Sequence, residues 1–283
     1  VWAPRSYEKL ATEAYQQNII VYRCVNLISR GVASVPWHLQ HKGQDLDQHP
    51  LLEILHRPNL MQAGASFFET FISHLLLSGN AYMEVIYGLK GSPIELHCLR
   101  PDRVRVVPGA QGFPQAYEYT VNGQRRVIPL EETSRQRSLL HMKLFHPLDD
   151  WYGMSPLEAA AKSIDQHNAV ANHNLSLLQN GGRPTGAIIV KYGLSEDERG
   201  QLKDRLDHVY TGSPNAGKIM VIEGDMEWKE MGLSPKDMDF TEGKILSARE
   251  IAQAYGVPPM LVGIPGDSTF ANFKEARYHL WEE

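Results

Sequence analysis

Four groups of residues have types and spacings that could do chemistry. Gly212, Gly217 and Lys218 fall in the G-x-x-x-x-G-K spacing of a phosphate-binding loop, whose backbone N–H groups and lysine cradle a triphosphate. The next residue is Ile219, where such a loop needs a hydroxyl for magnesium. The segment is also expected to follow a helix and open a strand, the reverse of the working order, so a solvated turn is the better reading. Gly153-Met154-Ser155-Pro156-Leu157 begins like a nucleophile elbow but lacks its final glycine, and Pro156 stiffens the wrong position. Ser155 reads instead as a helix cap. Of twelve histidines, His167 and His173 sit six apart on a helix and face different directions. His97 and Cys98 alternate across a strand, and no H-E-x-x-H occurs. Asp149-Asp150 has no further acidic ligand nearby in sequence, and reads as a solvated loop pair. No catalytic site, metal set or cofactor site emerges.

Composition sets the wider limits. With 283 residues, 42% of them hydrophobic, the chain is long enough for one large core or two smaller ones. Phe67 to Leu77, among the most apolar stretches, is broken by Glu69 and His74 and is too short to cross a bilayer. Val1 to Gln17 mixes Arg5, Glu8, Lys9 and Glu13 with apolar residues and does not resemble a signal peptide, so a cytosolic chain is expected until assembly. Cys24 and Cys98 read as buried thiols. The net charge of −5 argues against a broad basic grip on nucleic acid, but not against a wall that lets DNA slide past.

The elements that must position these residues differ between the two halves. A helix is expected over 19–32, followed by a short strand from Val35 to Gln40 and a small amphipathic helix from Asp47 to His56. Ser66 with Glu69 has the form of a capping box opening a helix that runs to Ser78 before Gly79. From Ala81 on, short runs alternate with turns, including Asn122-Gly123, and predict an antiparallel sheet. The first half is therefore an α+β domain. Ser155, Pro156 and Glu158 then start a helix running to Gln179, about 36 Å long at 1.5 Å per residue. Its narrow stripe of Leu157, Ala160, Ala161, Ile164, Ala171, Leu175 and Leu178 suits close packing against neighbours, not a deep core. A small β-α-β-β unit follows, with a hairpin expected between Lys218–Ile222 and Glu227–Met231. Ser234, Pro235 and Asp237 open another helix, reaching Tyr255. A Pro- and Gly-rich loop then leads to a last helix beginning near Asn272.

The order of several short motifs carries a resemblance. Tyr22-Arg23-Cys24-Val25-Asn26, Val35-Pro36-Trp37, Pro58-Asn59 and Gly79-Asn80-Ala81-Tyr82 occur in the first half. Leu99-Arg100-Pro101, Gly153-Met154-Ser155-Pro156-Leu157, Asn180-Gly181-Gly182-Arg183-Pro184 and Tyr255-Gly256-Val257-Pro258-Pro259 follow. In number, order and spacing they resemble the Hong Kong ninety-seven type portal family of tailed phages and gene transfer agents. The resemblance implies a wing (1–154), a first stem helix (155–182), a clip (183–233), a second stem helix (234–256), and a tunnel loop with the start of a tunnel helix (257–283).

The resemblance further implies a ring, usually of twelve subunits, at a capsid vertex, through which double-stranded DNA is packaged and ejected. The expected partners are the terminase large subunit at the clip, a head-tail adaptor and the major capsid protein, with no membrane, cofactor or enzymatic activity. Leu157, Ala161, Ile164, Ala171 and Leu175 become candidate subunit-interface residues. Asp267, Ser268, Thr269 and Phe270 become candidates for the channel wall. From Ser234 on, five basic residues stand against eight acidic ones, as suits a channel that must not hold phosphate tightly. The rival readings are another structural oligomer of a phage tail or baseplate and a nucleotide-binding enzyme using Lys218.

Overall fold

A computed structural model describes residues 7–109, 112–130, 137–179, 186–190, 195–197, 200–201, 226–230, 240–266 and 270–282. The chain divides into two compact units, one formed by Val1–Ile164 with Ala248–Glu283 and the other by Asp165–Ser247.

In the first unit, helix α1 (Ile19–Ala33) starts where Asn18 caps it, its Oδ1 accepting from the N–H groups of Ile20 and Val21 at 3.1 and 3.2 Å. Helix α2 (Pro50–His56) follows a short hairpin, β1 (Gln40–His41) with β2 (Gln44–Asp45). Helix α3 (Gly64–Ser78) packs beside α1, and Arg30 meets Glu69 across them at 2.9 Å.

The same unit holds two three-stranded antiparallel sheets. In the first, β3 (Asn80–Tyr87) lies between β4 (Pro93–Leu99) and β8 (Leu139–Lys143). In the second, β6 (Pro114–Val121) lies between β5 (Val104–Pro108) and β7 (Gln124–Pro129). Strand β3 is largely buried because both its faces are used. Ala81 and Val85 pack toward α3 with Phe67, Phe71 and Leu75, while Tyr82 joins Leu99, Val104, Val106, Tyr117, Ile128 and Leu139 between the sheets. Toward β8, the α3 side is open: Trp37, Phe68, Met83, Leu140, Met142 and Trp281 line a groove of about 760 Å³.

The expected turn at Asn122-Gly123 is present. Both residues have positive φ, +50° and +78°, as a two-residue hairpin loop requires. Strand β7, which the sequence pattern did not announce, follows that turn. Only Ile128 on it is buried, so it carries no alternation to read. Other expectations need correction. Val35 to Gln40 is not a strand apart from its last residue, since Pro36 has no N–H for a ladder and Trp37 is drawn onto Phe68, with ring centres 5.1 Å apart. Ser66 is not a cap: α3 begins at Gly64, and the Ser66 carbonyl accepts from Thr70 Oγ1 at 2.8 Å.

The helix beginning at Pro156 is interrupted. It is α4 (Pro156–Ala159) and α5 (Ala161–Gln179), with a break at Ala160, whose ψ is 2°. In the second unit, β9 (Gly186–Val190) pairs antiparallel with β10 (Met226–Glu230). The other expected hairpin strand, Lys218–Ile222, and most of the helix after Ser195 lie outside the described residues. Helix α6 (Phe240–Ala254) leads to a 3-10 turn at Pro259–Val262, and α7 (Phe270–Glu282) starts two residues before the expected Asn272.

An ion pair links the two sheets. Glu84, on buried β3, receives both terminal nitrogens of Arg126 on β7, at 2.7 and 2.8 Å, and the guanidinium lies 5.7 Å from the centre of the Tyr119 ring. Its neighbour Arg125 pairs with Glu118 at the surface. Removing Arg126 strands a carboxylate that is only 10% exposed. Arg126→Ala is therefore expected to cost about 2 kcal/mol, and Arg125→Ala less than about 1 kcal/mol; urea unfolding of the two variants checks the order.

Candidate functional site

The point where the sheet region hands the chain to α4 is built from residues far apart in sequence. Gly79 ends α3 at φ +73°, and a Cβ there would lie 2.5 Å from the carbonyl oxygen of Gly153. A Cβ on Gly153 would in turn collide with the Gly79 carbonyl and the backbone of Leu144. Two backbones therefore touch directly, and only glycine fits at either position. The Gly79 carbonyl accepts from the Leu144 N–H at 2.8 Å.

Asn80 locks this contact. Its Nδ2 donates to the carbonyls of Ser78 (2.8 Å) and Gly153 (3.2 Å), and its Oδ1 accepts from the Gly153 N–H (2.7 Å) and from His141 Nε2 (3.0 Å). The amide is buried with all four hydrogen-bonding capacities used. Because an amide oxygen only accepts, His141 carries its proton on Nε2. Its Nδ1 then accepts from the Tyr117 hydroxyl at 3.3 Å, and its ring stacks 4.3 Å from that of Tyr82. Two residues past Gly153, Ser155 forms the expected capping box: its Oγ accepts from Leu157 N–H at 3.1 Å and Glu158 accepts from Ser155 N–H at 3.0 Å. Ser155 Oγ also donates to the Leu76 carbonyl at 3.0 Å.

These bonds decide some of the chemical readings. Ser155 is a cap. Asp149 is a loop cap, its Oδ1 accepting from the N–H groups of Trp151 (2.7 Å) and Tyr152 (3.0 Å). The Gly212–Lys218 segment lies outside the described residues. Among the described residues no cluster of three or more His, Cys, Asp or Glu could hold a metal ion, and no helix is long and apolar enough to cross a membrane.

The candidate interface residues are not equivalent. Leu157 and Ile164 are fully buried in this chain alone, Ala161 and Ala171 are half-buried, and Leu175 is 54% exposed. Of the channel candidates, Asp267, Ser268 and Thr269 lie outside the described residues, while Phe270 is the first residue of α7. The loop before them is tied back to α6, with Arg249 Nη2 donating to the Pro265 carbonyl at 3.0 Å.

Residues 19–283 match the family model described as phage portal protein. The chain belongs to that family. Its function is that of a portal protein, within a family that serves genome packaging and ejection. An uncharacterized protein of Rickettsia bellii is 44% identical, the match covering 97% of this chain and 72% of that protein. The portal protein of Enterobacteria phage HK97 is 25% identical, over 88% of this chain and 58% of that protein. A chain in the neck of a native gene transfer agent particle, computed with C12 symmetry, is 42% identical with a TM-score of 0.72, covering 100% of this chain and 76% of that one. In this portal-family chain, the motifs around Gly79-Asn80 and Gly153-Met154-Ser155 are thus two halves of one structure. Neither motif announces the other in the sequence, and neither Tyr117 nor His141, a half-buried histidine on a strand, leaves a local signal.

The junction carries a pH dependence. Burial, helped by the nearby Lys143 ammonium, lowers the pKa of His141 from 6.5 to about 4. Burial does the same to His74, whose Nδ1 lies 2.9 Å from the Tyr7 hydroxyl. The unfolded chain therefore binds more protons than the folded one between these values. Stability is expected to be full above pH 6.5 and to fall as the pH drops toward 4. Thermal melts across that range should show the loss, and His141→Gln should reduce its slope.

Proposed function

We propose that twelve copies of this chain form a ring at a capsid vertex of a phage or gene transfer agent particle, and that double-stranded DNA passes through it during packaging and ejection. The reading is carried by the portal-family match over residues 19–283, and the C12 symmetry of the 42% identical neck chain supports the subunit number. Residues 1–154 are the wing, 155–182 and 234–256 the stem helices, 183–233 the clip and 257–283 the tunnel loop with the start of its helix. The terminase large subunit supplies motor energy and docks at the clip. The head-tail adaptor and the major capsid protein complete the vertex, and the chain waits in the host cytoplasm before assembly.

The interface stripe divides by burial. Leu157 and Ile164 hold the start of the stem within the subunit, and Ala161 stands at the border. Ala171 and Leu175 carry the part left for a neighbouring copy. Electron microscopy of the purified protein should show rings with a central hole; compact single particles without one would overturn the reading. Leu175→Asp is expected to reduce the ring fraction in size-exclusion chromatography, while Lys162→Asp, a change at an exposed polar position, should not.

Asp267, Ser268, Thr269 and Phe270 face the DNA in this reading. A ring of Asp267 carboxylates repels phosphate, whereas lysines in their place would hold DNA through contacts that salt weakens. Asp267→Lys should assemble normally, slow packaging at low ionic strength, and recover part of the rate as salt is raised. Packaging at the wild-type rate in low salt, with rings intact, would remove this segment from the wall.

A further inference from the structure

The two three-stranded sheets end in four edge strands, and an unpaired edge needs cover. Three of the four have it. On β4 the Leu96 N–H donates to the Pro58 carbonyl at 2.8 Å, and the Leu96 C=O accepts from Asn59 Nδ2 at 2.8 Å. On β5 the Val106 N–H donates to the Tyr152 hydroxyl at 2.9 Å. Strand β7 carries Arg125 and Arg126 and ends at Pro129, residues that discourage a further strand. Strand β8 differs. Its ladder with β3 is bracketed by the bonds from Leu144 N–H to Gly79 and from Val85 N–H to Ser138, so Leu140 and Met142 turn their backbone groups to β3 while those of Leu139, His141 and Lys143 point outward. Among the described residues nothing bonds to these outward N–H and C=O groups.

The open edge runs along the groove of about 760 Å³, which reaches both of its faces. Trp37, Phe68 and Trp281 stand on the α3 side, where Leu140 and Met142 are 45% and 49% exposed, and Pro114 and Leu130 stand on the side of the second sheet. A free edge with apolar space on both faces is the shape that receives an added strand, because successive side chains of a strand go to opposite faces. Arg137 lines the groove, and among the described residues no carboxylate does. Helix α7 brings the chain to this place: Trp281, in its last turn, lies over Gly31 of α1, where a Cβ would come within 3.0 Å of the indole ring. The two relatives described above run further, since the matches cover 72% of the Rickettsia bellii protein and 76% of the neck chain. We propose that the polypeptide continuing past Glu283 turns back from α7 into the groove as a fourth strand on β8, with apolar side chains alternating between its two faces and a carboxylate set against Arg137. A segment tethered beside the groove meets it at a high effective concentration, which favours it over a strand from a separate molecule.

The test compares the 283-residue chain with the chain its gene encodes past Glu283, by hydrogen exchange at the N–H groups of Leu139, His141 and Lys143. In the longer chain these groups are expected to exchange at least about tenfold more slowly. Tryptophan emission should shift to the blue as well, because Trp37 and Trp281 are 48% and 56% exposed in the shorter chain. Met142→Asp sets a charge in the α3 side of the groove and should restore fast exchange in the longer chain; Leu140→Asp gives the same decision where that variant does not fold. Equal exchange in the two chains, or a gene that stops at Glu283, would overturn the proposal. Protection in the shorter chain that rises with its concentration would also overturn it, since a second copy would then hold the edge. None of these results touches the portal reading, which is decided by whether rings form.

Discussion

Two peptide backbones in direct contact, at Gly79 and Gly153, are the constraint on which the first unit depends. The contact brings the end of α3, the start of β3, the exit of β8 and the approach to α4 to one point. A buried backbone crossing leaves polar groups that water cannot reach, and these must be paired or the contact is lost. Asn80 meets that demand because an amide presents a donor and an acceptor side by side, matching the C=O and N–H of one residue. The sequence pairs glycine for proximity with asparagine for satisfaction, and each is of little use without the other.

From that point the division of labour between the elements becomes intelligible. Helices α2 and α3 shield one face of β3, and the second sheet shields the other, so the central strand is buried on both sides. Tyr82 serves both purposes, filling the space between the sheets and supporting the ring of His141. The Glu84–Arg126 pair, two residues further along β3, fastens the outer sheet to the inner one. Rigidity of this kind suits a subunit of a symmetric ring, since small angular errors in one copy accumulate around a closed ring.

The helix that begins at Pro156 shows how local signals and tertiary demands combine. Ser155, Pro156 and Glu158 announce a helix start, and the capping box forms as written. Yet Ser155 is held twice, by its own helix and by the Leu76 carbonyl of α3. The helix breaks at Ala160, beyond which exposure increases toward Leu175, 54% exposed. Small residues along this stretch gave the stripe its narrow look, and burial divides it into a part spent inside the subunit and a part left at the surface.

Local chemistry fixed what the sequence alone could determine. The Asn122-Gly123 turn, the cap at Ser155, the glycine stop at Gly79 and the antiparallel texture after Ala81 are each decided within a few residues, by φ preference, side-chain reach or alternation. The order of the motifs was enough to point to the portal family. What needed the tertiary structure was every pairing across distance: Gly79 with Gly153, Asn80 with His141, Glu84 with Arg126, and Trp37 with Phe68 in place of the expected strand. The burial of Leu157 and Ile164 against the exposure of Leu175 belongs with them. A hydrogen bond or a contact between residues tens of positions apart leaves no periodicity in the chain, so only the fold that brings the partners together can show which of several polar or apolar residues has met which.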